Sequence, residues 1–452
     1  MNKKTIFITS FHGLVSRILE SGILKNILES GNVRVVIFVP DFKKDYFQEK
    51  FGNFNNIIIE GIKKDILPKR SAIFQQFSFI LLHTKTMKII RKSFRGYNNK
   101  WQYTVAQSIS TLGRFKFIRK LFRAINYYFS GKTVLDYYFE KYKPELVFST
   151  DIKHIFDTQF ILEAQKRKIL TIGMVRSWDY LTAKGIIRTK PDKMIVHNEI
   201  IKKEAQKYAD MEEKDIFVSG LPHFDPYINE KRTSREKFLK KINADKNKHL
   251  IFLSPIGDKF SDIDWKFFEI LDNAIEEGEL SSDLQILVRV PPGDTLDLSK
   301  FSNSENIIFD YPGVSFGEKH RKENEMSYND LLHLADSIYH SELVITGPST
   351  IAIDATVFDK PIIFLGFDGA ENKPYYSSIR HYYDFDHMQN VLKTDGADIA
   401  LSANELISFI NKYIDNPNIK NLEREKIIEE QCYKLDGKSS YRVANYILAA
   451  LN

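Results

Sequence analysis

Short runs rich in β-branched residues recur along this chain with stretches of helical length between them: Thr5 to Thr9, Val33 to Val39, Ile57 to Ile59, Leu146 to Ser149 and Leu170 to Val175. That alternation leaves few folds open, because parallel strands need a long crossover, usually a helix, between them. A second series follows at Met194 to His197, Ile216 to Ser219, Leu250 to Leu253, Gln285 to Val290, Ile307 to Phe309, Leu343 to Thr346 and Pro361 to Leu365, implying a second doubly wound unit. With 452 residues, 43% of them apolar, the chain exceeds what one core organises and can fill two. The polar stretch Asn229 to Lys248 has no strand pattern, so the boundary is expected near residue 240, giving domains 1–240 and 241–452. The expected class is α/β, with two Rossmann-like domains.

The net charge of +6 is unevenly placed. Residues 66–135 hold fourteen Lys or Arg and no Asp or Glu, and read as a helical insertion in the first domain. Phe74, Phe77, Phe94, Trp101, Phe115, Phe117, Phe122, Tyr127 and Phe129 interleave there with Lys88, Arg91, Lys92, Arg114, Lys116, Arg119, Lys120 and Arg123. Such a mixture suits an anionic membrane surface; the plainer reading is core-packed helices with a solvated basic face. No nucleic-acid motif accompanies the charge, so a nucleic-acid partner is not expected.

Cys432 is the sole cysteine, which excludes an intramolecular disulfide and a cysteine-cluster metal site. Thr5 to Thr9 is too brief for the apolar region of a signal peptide, and no window approaches the roughly 20 apolar residues that cross a bilayer. A cytoplasmic location, with peripheral contact at the membrane's inner face, is the expectation.

The stretch Leu343 to Leu365 carries the clearest chemistry. Its strand ends at Gly347, Pro348, Ser349 and Thr350, where a helix begins, so backbone amides and two hydroxyls are offered to an anion such as a donor's phosphates. The alternative is a plain N-cap. This strand, hydroxyl-bearing turn, acidic helix and "DKPII" resemble the donor-binding element of bacterial envelope transferases, above all the CDP-glycerol glycerophosphotransferases and the related sugar transferases and nucleotide-sugar 2-epimerases. The resemblance implies the two-domain glycosyltransferase-B architecture, a nucleotide-activated donor in the C-terminal domain and no metal or other cofactor. The Asp-x-Asp triplets Asp262 to Asp264 and Asp384 to Asp386 lack supporting histidines.

Further likenesses are local. "LDGKSSYRVANYI" from Leu435 is similar to a glycerophosphotransferase signature at Asp436, Gly437, Lys438 and Arg442, which implies that Lys438 or Arg442 reaches a phosphate; the alternative is a capped terminal helix. "SWDYLTAKG" from Ser177 matches the family's pattern at Trp178, Thr182 and Lys184, but Asp179 stands where the family has its catalytic histidine. Asp179 is the expected general base, with the cap of the next turn as its alternative role, and Asp151 is the competing base. His12, Gly13 and Arg17 follow the first strand, where this fold meets its acceptor, together with Trp178 and Lys184. Ser254, Gly257 and Arg289 end strands on the donor side, although Arg289 is followed by Val290, Pro291 and Pro292 in place of the family's histidine and proline. Ser219 to Tyr227, with His223, is similar to the family's hinge segment.

The expected function is metal-independent, inverting transfer of a sugar or sugar-like unit from a nucleotide donor to a lipid-linked or envelope glycan acceptor. A 2-epimerase or hydrolase of the same fold, a CDP-glycerol-type polyol-phosphate transferase and a non-catalytic scaffold are the alternatives.

Overall fold

The computed structural model describes residues 3–13, 16–29, 32–63, 69–93, 99–130, 135–258, 260–296, 298–301 and 304–451; Phe94 lies outside them. The chain forms two units, Met1–Asp225 with Asp436–Asn452, and Pro226–Leu435. The switch of unit therefore falls at Asp225 rather than near residue 240, and the last helix returns to the first unit instead of staying with the second. Sequence pattern could not show this, because an amphipathic helix does not say which sheet it covers.

In unit 1, β1 (Lys4–Thr9), β2 (Val33–Pro40), β3 (Ile57–Ile62), β4 (Leu146–Ser149), β5 (Leu170–Met174), β6 (Lys193–Val196) and β7 (Ile216–Val218) form one sheet in the order β3-β2-β1-β4-β5-β6-β7. Every pairing in it is parallel. β6 and β7, grouped by pattern with the second strand series but inside the expected first domain of residues 1–240, complete this first sheet. Alternate side chains fill opposite faces. Ile6, Ile8, Val35, Ile37 and Phe148 pack with Val443, Ala444 and Ile447 of the last helix, Ser439–Ala449. Phe7, Val36, Phe38 and Val147 pack on the other side with Phe139 and Phe160.

In unit 2, β8 (His249–Ser254), β9 (Leu284–Arg289), β10 (Ile307–Asp310), β11 (Leu343–Thr346), β12 (Ile362–Leu365) and β13 (Asp398–Ala400) give the order β10-β9-β8-β11-β12-β13, again parallel throughout. Both sheets are doubly wound. Their switch points, where chain direction across the sheet reverses, lie between β1 and β4 and between β8 and β11.

The basic segment is helical: Lys69–Leu81, Lys85–Lys92, Lys100–Leu112 and Lys116–Phe129. Its pattern is partly the reverse of a solvated basic face. Arg91 is buried and closes the C-terminal end of the first helix, donating to the carbonyls of Phe79, Ile80 and Leu82 at 2.8–3.3 Å. Arg119 and Arg123 converge on Asp210, at 2.6 and 2.7 Å. Trp101 (74% exposed), Phe117 (64%) and Tyr128 (79%) face outward instead. Among the described residues no helix is long and apolar enough to cross a membrane.

Candidate functional site

In unit 1 the chemistry-bearing side chains gather past the carboxyl ends of β1, β4, β5 and β6. Thr9 ends β1 beside Ser149 of β4 in register, and both hydroxyls donate to Oδ1 of the fully buried Asp157, Ser149 at 3.0 Å. Asp157 sits in the first turn of the helix Ile155–Lys166, and its Oδ2 lies 3.3 Å from Nδ1 of His154. Burial raises the Asp157 carboxyl above its ordinary range. The His154 ring stacks on Phe11 (5.9 Å, 7°) and on Phe156 (5.8 Å, 21°), with His12 edge-on at 6.5 Å.

Asp151, the competing base, is only 1% exposed. Its Oδ1 accepts from the amides of Lys153 (2.9 Å) and His154 (3.0 Å) and from the Tyr180 hydroxyl, and Arg176 lies 3.4 Å from Oδ2. Burial by itself would raise this carboxyl, but the charge of Arg176, with His154 and His12, holds it below the usual range. Asp151 therefore stays ionised and orders the loop it caps. Asp179 begins the short helix Tyr180–Ala183; its carboxylate takes a hydrogen bond from Ser177 (2.5 Å) and pairs with Lys184 at 3.1 Å. Lys153 is buried beneath this loop, donating to the carbonyls of Tyr180 and Gly185, and burial pulls its pKa down to about 7. Trp178 is half-buried on the same loop.

His12, with Gly13 after β1, is pushed down to about 4 by burial and then by Arg176. His197, after β6, falls to about 4 and His223 well below the ordinary value, through burial first and then Arg17. The structure thus brings Asp151, Asp179, His12, Gly13, Arg17, Trp178 and Lys184 onto one edge of one sheet. His154, Asp157, Arg176, Tyr180 and His197 join them, and the sequence reading passed over all five. Asp151, His154 and Asp157 are spaced by three at the start of a helix, a signal that could have been read.

In unit 2, Ser254 and Thr346 stand side by side in register at the switch point. The Thr346 hydroxyl is buried with no hydrogen-bond partner. Gly347 is needed for a different reason from close approach by a ligand: a Cβ there would meet Cγ1 of Ile256 at 2.8 Å, so the two loops close on one another. Thr350 precedes the helix Ile351–Val357 without capping it through its side chain, and Ser349 Oγ accepts weakly from Ile351 N at 3.4 Å. Pro348 and Ser349 are half-buried and Thr350 is exposed. The plain N-cap is therefore not what these hydroxyls make.

Two expected donor ligands are engaged elsewhere. The amides of Ile256 and Gly257 donate to Asp264 at 2.8 and 2.9 Å, and burial raises that carboxyl to about 6. Arg289 pairs with Asp310 and donates to the Asp330 carbonyl at 3.1 Å; His333 closes on Asp310 from 3.3 Å.

Lys438 and Arg442, expected on the donor side, belong to unit 1 rather than to unit 2. Arg442 grips Asp436 through Nη1 (2.7 and 2.9 Å), the Ser219 carbonyl through Nε (2.8 Å) and Ser439 Oγ through Nη2 (3.0 Å). The Lys438 amide donates to Asp436 at 3.1 Å. Asp225 takes the next two amides, Ser439 N at 3.0 Å and Ser440 N at 2.6 Å. The signature from Asp436 to Arg442 fastens the last helix to the first unit. Among the described residues no group of three His, Cys, Asp or Glu side chains is arranged to hold a metal ion.

Comparisons with known proteins agree with this layout. The family model for CDP-glycerol:poly(glycerophosphate) glycerophosphotransferase matches residues 177–449, more than half of the chain. Among solved structures, a UDP-N-acetylglucosamine 2-epimerase aligns with TM-score 0.57 at 12% identity, covering 100% of this chain and 96% of its own. The S. aureus MnaA–UDP structure aligns with TM-score 0.57 at 12% identity (99% and 97%). The wall teichoic acid polymerase TagF aligns with TM-score 0.53 at 15% identity (100% and 90%). At these identities the likeness is one of fold, two Rossmann-like domains. No curated protein sequence matches the chain at a significant level.

Proposed function

The chain belongs to the CDP-glycerol:poly(glycerophosphate) glycerophosphotransferase family and is a transferase; on that premise we propose that it moves a polyol phosphate or a sugar from a nucleotide donor to a hydroxyl of a lipid-linked or envelope glycan. The observation that carries this reading is the family match, which spans both the loop at Trp178 and the turn at Gly347 to Thr350. In this reading unit 2 holds the donor's phosphates at its switch point, where the half-buried Ser349 and the exposed Thr350 stand at the start of the helix Ile351–Val357 with no side-chain cap on it from Thr350. Unit 1 presents the acceptor through His12, Gly13, Arg17, Trp178 and Lys184. Leaving-group charge is met by amides and basic side chains rather than by a metal, so turnover is expected to survive chelation with EDTA.

Thermal unfolding with CMP, CDP, UDP, GDP and ADP, without metal, tests the donor site, since a ligand that binds the folded state alone raises the melting temperature. One nucleotide is expected to stand out, and its shift to vanish when Ser349→Ala and Thr350→Ala are combined. A chain that none of the five stabilises would sink the reading.

The acceptor's setting follows from the insertion. Phe117, Leu121 and Tyr128 lie at helical spacing on one exposed face of Lys116–Phe129, with Lys116 and Lys120 exposed beside them. We infer peripheral contact with an anionic leaflet, apolar rings entering the interface and lysines meeting headgroups. Phe117→Glu with Leu121→Glu is expected to abolish co-sedimentation with phosphatidylglycerol vesicles. Equal sedimentation of variant and parent would remove the inference.

A further inference from the structure

The family resemblance places the acceptor's base at Asp179, and the geometry there is poorly suited to the task. A carboxylate paired with Lys184 at 3.1 Å and hydrogen-bonded by Ser177 is stabilised as the anion, which makes it a weak proton acceptor. Asp151 is weaker still as a base, with Arg176 beside it and three donors on Oδ1. Near both stands His154. His154 is held by its own amide on Asp151 and by two aromatic faces, and its Nδ1 is buried against Asp157. The side chain retains 28% exposure, all of it away from Nδ1. Asp157 is wholly buried and fixed by the hydroxyls of Thr9 and Ser149. At 3.3 Å the pair is close without being aligned as a hydrogen bond, a geometry that commonly tightens when substrate binds.

Resting on the transferase reading above, we propose that His154 is the general base that activates the acceptor hydroxyl, with Asp157 as its positioning residue. Nε2 takes the proton of the hydroxyl while the oxygen's lone pair forms the bond to the donor's phosphorus, or to the anomeric carbon if the donor is a sugar. The bond from that centre to the nucleotide's phosphate oxygen breaks, and the nucleotide leaves with the electron pair. Asp157 stabilises the imidazolium, which returns its proton to solvent. Asp151 and Asp179 are then loop anchors, and the place of the family's histidine on the β5 loop is taken over by a histidine on the β4 loop.

The test has two independent arms. In the first, CMP release from CDP-glycerol is followed with lipid extract of the native host's membranes as acceptor. His154→Gln is expected to lower kcat by at least ~100-fold with the donor KM within a few-fold, Asp157→Asn by roughly 10-fold or more, and Asp179→Asn by only a few-fold. His154→Gln turning over within a few-fold of the parent, or Asp179→Asn losing as much as His154→Gln, overturns the assignment. In the second, nitrogen-15 NMR of the full chain reads the His154 tautomer without turnover, in the parent and in Asp157→Asn. The proton is expected on Nδ1, facing Asp157, and to redistribute in Asp157→Asn. A proton on Nε2 in both chains overturns the dyad. Nucleotide thermal shifts separate the two failures: if they persist while either arm fails, the donor reading stands and the base is elsewhere.

Discussion

Asp225→Asn is the most direct probe of how the first unit is closed. Asp225 is 4% exposed and accepts from Ser439 N and Ser440 N at 3.0 and 2.6 Å, a carboxylate at the start of the last helix. Asparagine keeps one acceptor oxygen and turns an NH2 group toward the second amide, leaving a buried N–H unpaired. A hydrogen bond to a charged group contributes about 1.5–3 kcal/mol and an N-cap about 0.5–2 kcal/mol. Against this, burial already raises the Asp225 carboxyl, with the Ser440 and Ser439 amides only partly offsetting it, so the substitution also relieves some desolvation. The net expectation is a loss of about 2 kcal/mol, which for a unit of this size lowers its transition by about 4–8 °C. Scanning calorimetry is the assay, because two units can melt in separate transitions and only one of them should move. If every transition in Asp225→Asn stays within about 1 °C of the parent, the fastening role of the Asp436–Arg442 signature is refuted.

Three further substitutions follow from named contacts. Asp210→Asn is expected to destabilise unit 1 by about 3 kcal/mol at pH 7 in urea titrations, since it leaves Arg119 and Arg123 without their shared carboxylate. Burial would raise the Asp210 carboxyl, but the two arginines hold it below 3.8. Its contribution is therefore full above that value and fades as pH falls through the lowered one, so parent and variant should converge in acid. Lys153 shows linkage of the same sign in a higher window: its folded pKa of about 7 lies under the unfolded 10.5, so stability rises with pH between those values, and Lys153→Met should flatten that rise by about 1.4 kcal/mol per pH unit. Gly257→Ala places a Cβ 2.3 Å from Asp294 Oδ2 at a φ of +91°, and should lower unit 2's melting transition by the equivalent of about 1–2 kcal/mol or more.

Much of the fold was legible because a buried parallel strand announces itself by composition. Leu146 to Ser149 and Leu343 to Thr346 were read with their observed bounds, and other strands differ by a residue or a few at their ends. Asp398–Ala400 escaped because three residues with an acidic start carry no such signal. The site was legible as a place more than as a set of contacts. Position past a strand's carboxyl end located Asp151, Asp179, His12 and Gly347, since topology puts loops of that kind on one edge. Partners were not legible: nothing in the order of residues says that Arg289 faces Asp310, that Gly257 donates to Asp264, or that Arg442 turns back to Ser219. Resemblance carried Arg442 toward a phosphate, whereas tertiary packing gives its guanidinium to Asp436.

The return of Ser439–Ala449 to the first sheet has a consequence for how the protein is made. Val443, Ala444 and Ile447 belong to the same cluster as Ile6, Ile8 and Val35, so residues at the two ends of the chain share one core. On the ribosome, the unit that begins first cannot finish until the final turn of helix has emerged, while Pro226–Leu435 is already complete in sequence. The second unit is thus free to fold ahead of the first. A nascent chain interrupted before residue 439 would leave part of one sheet face, beside Ile18–Ile27 and Phe47, without its cover, a natural mark for quality control to read.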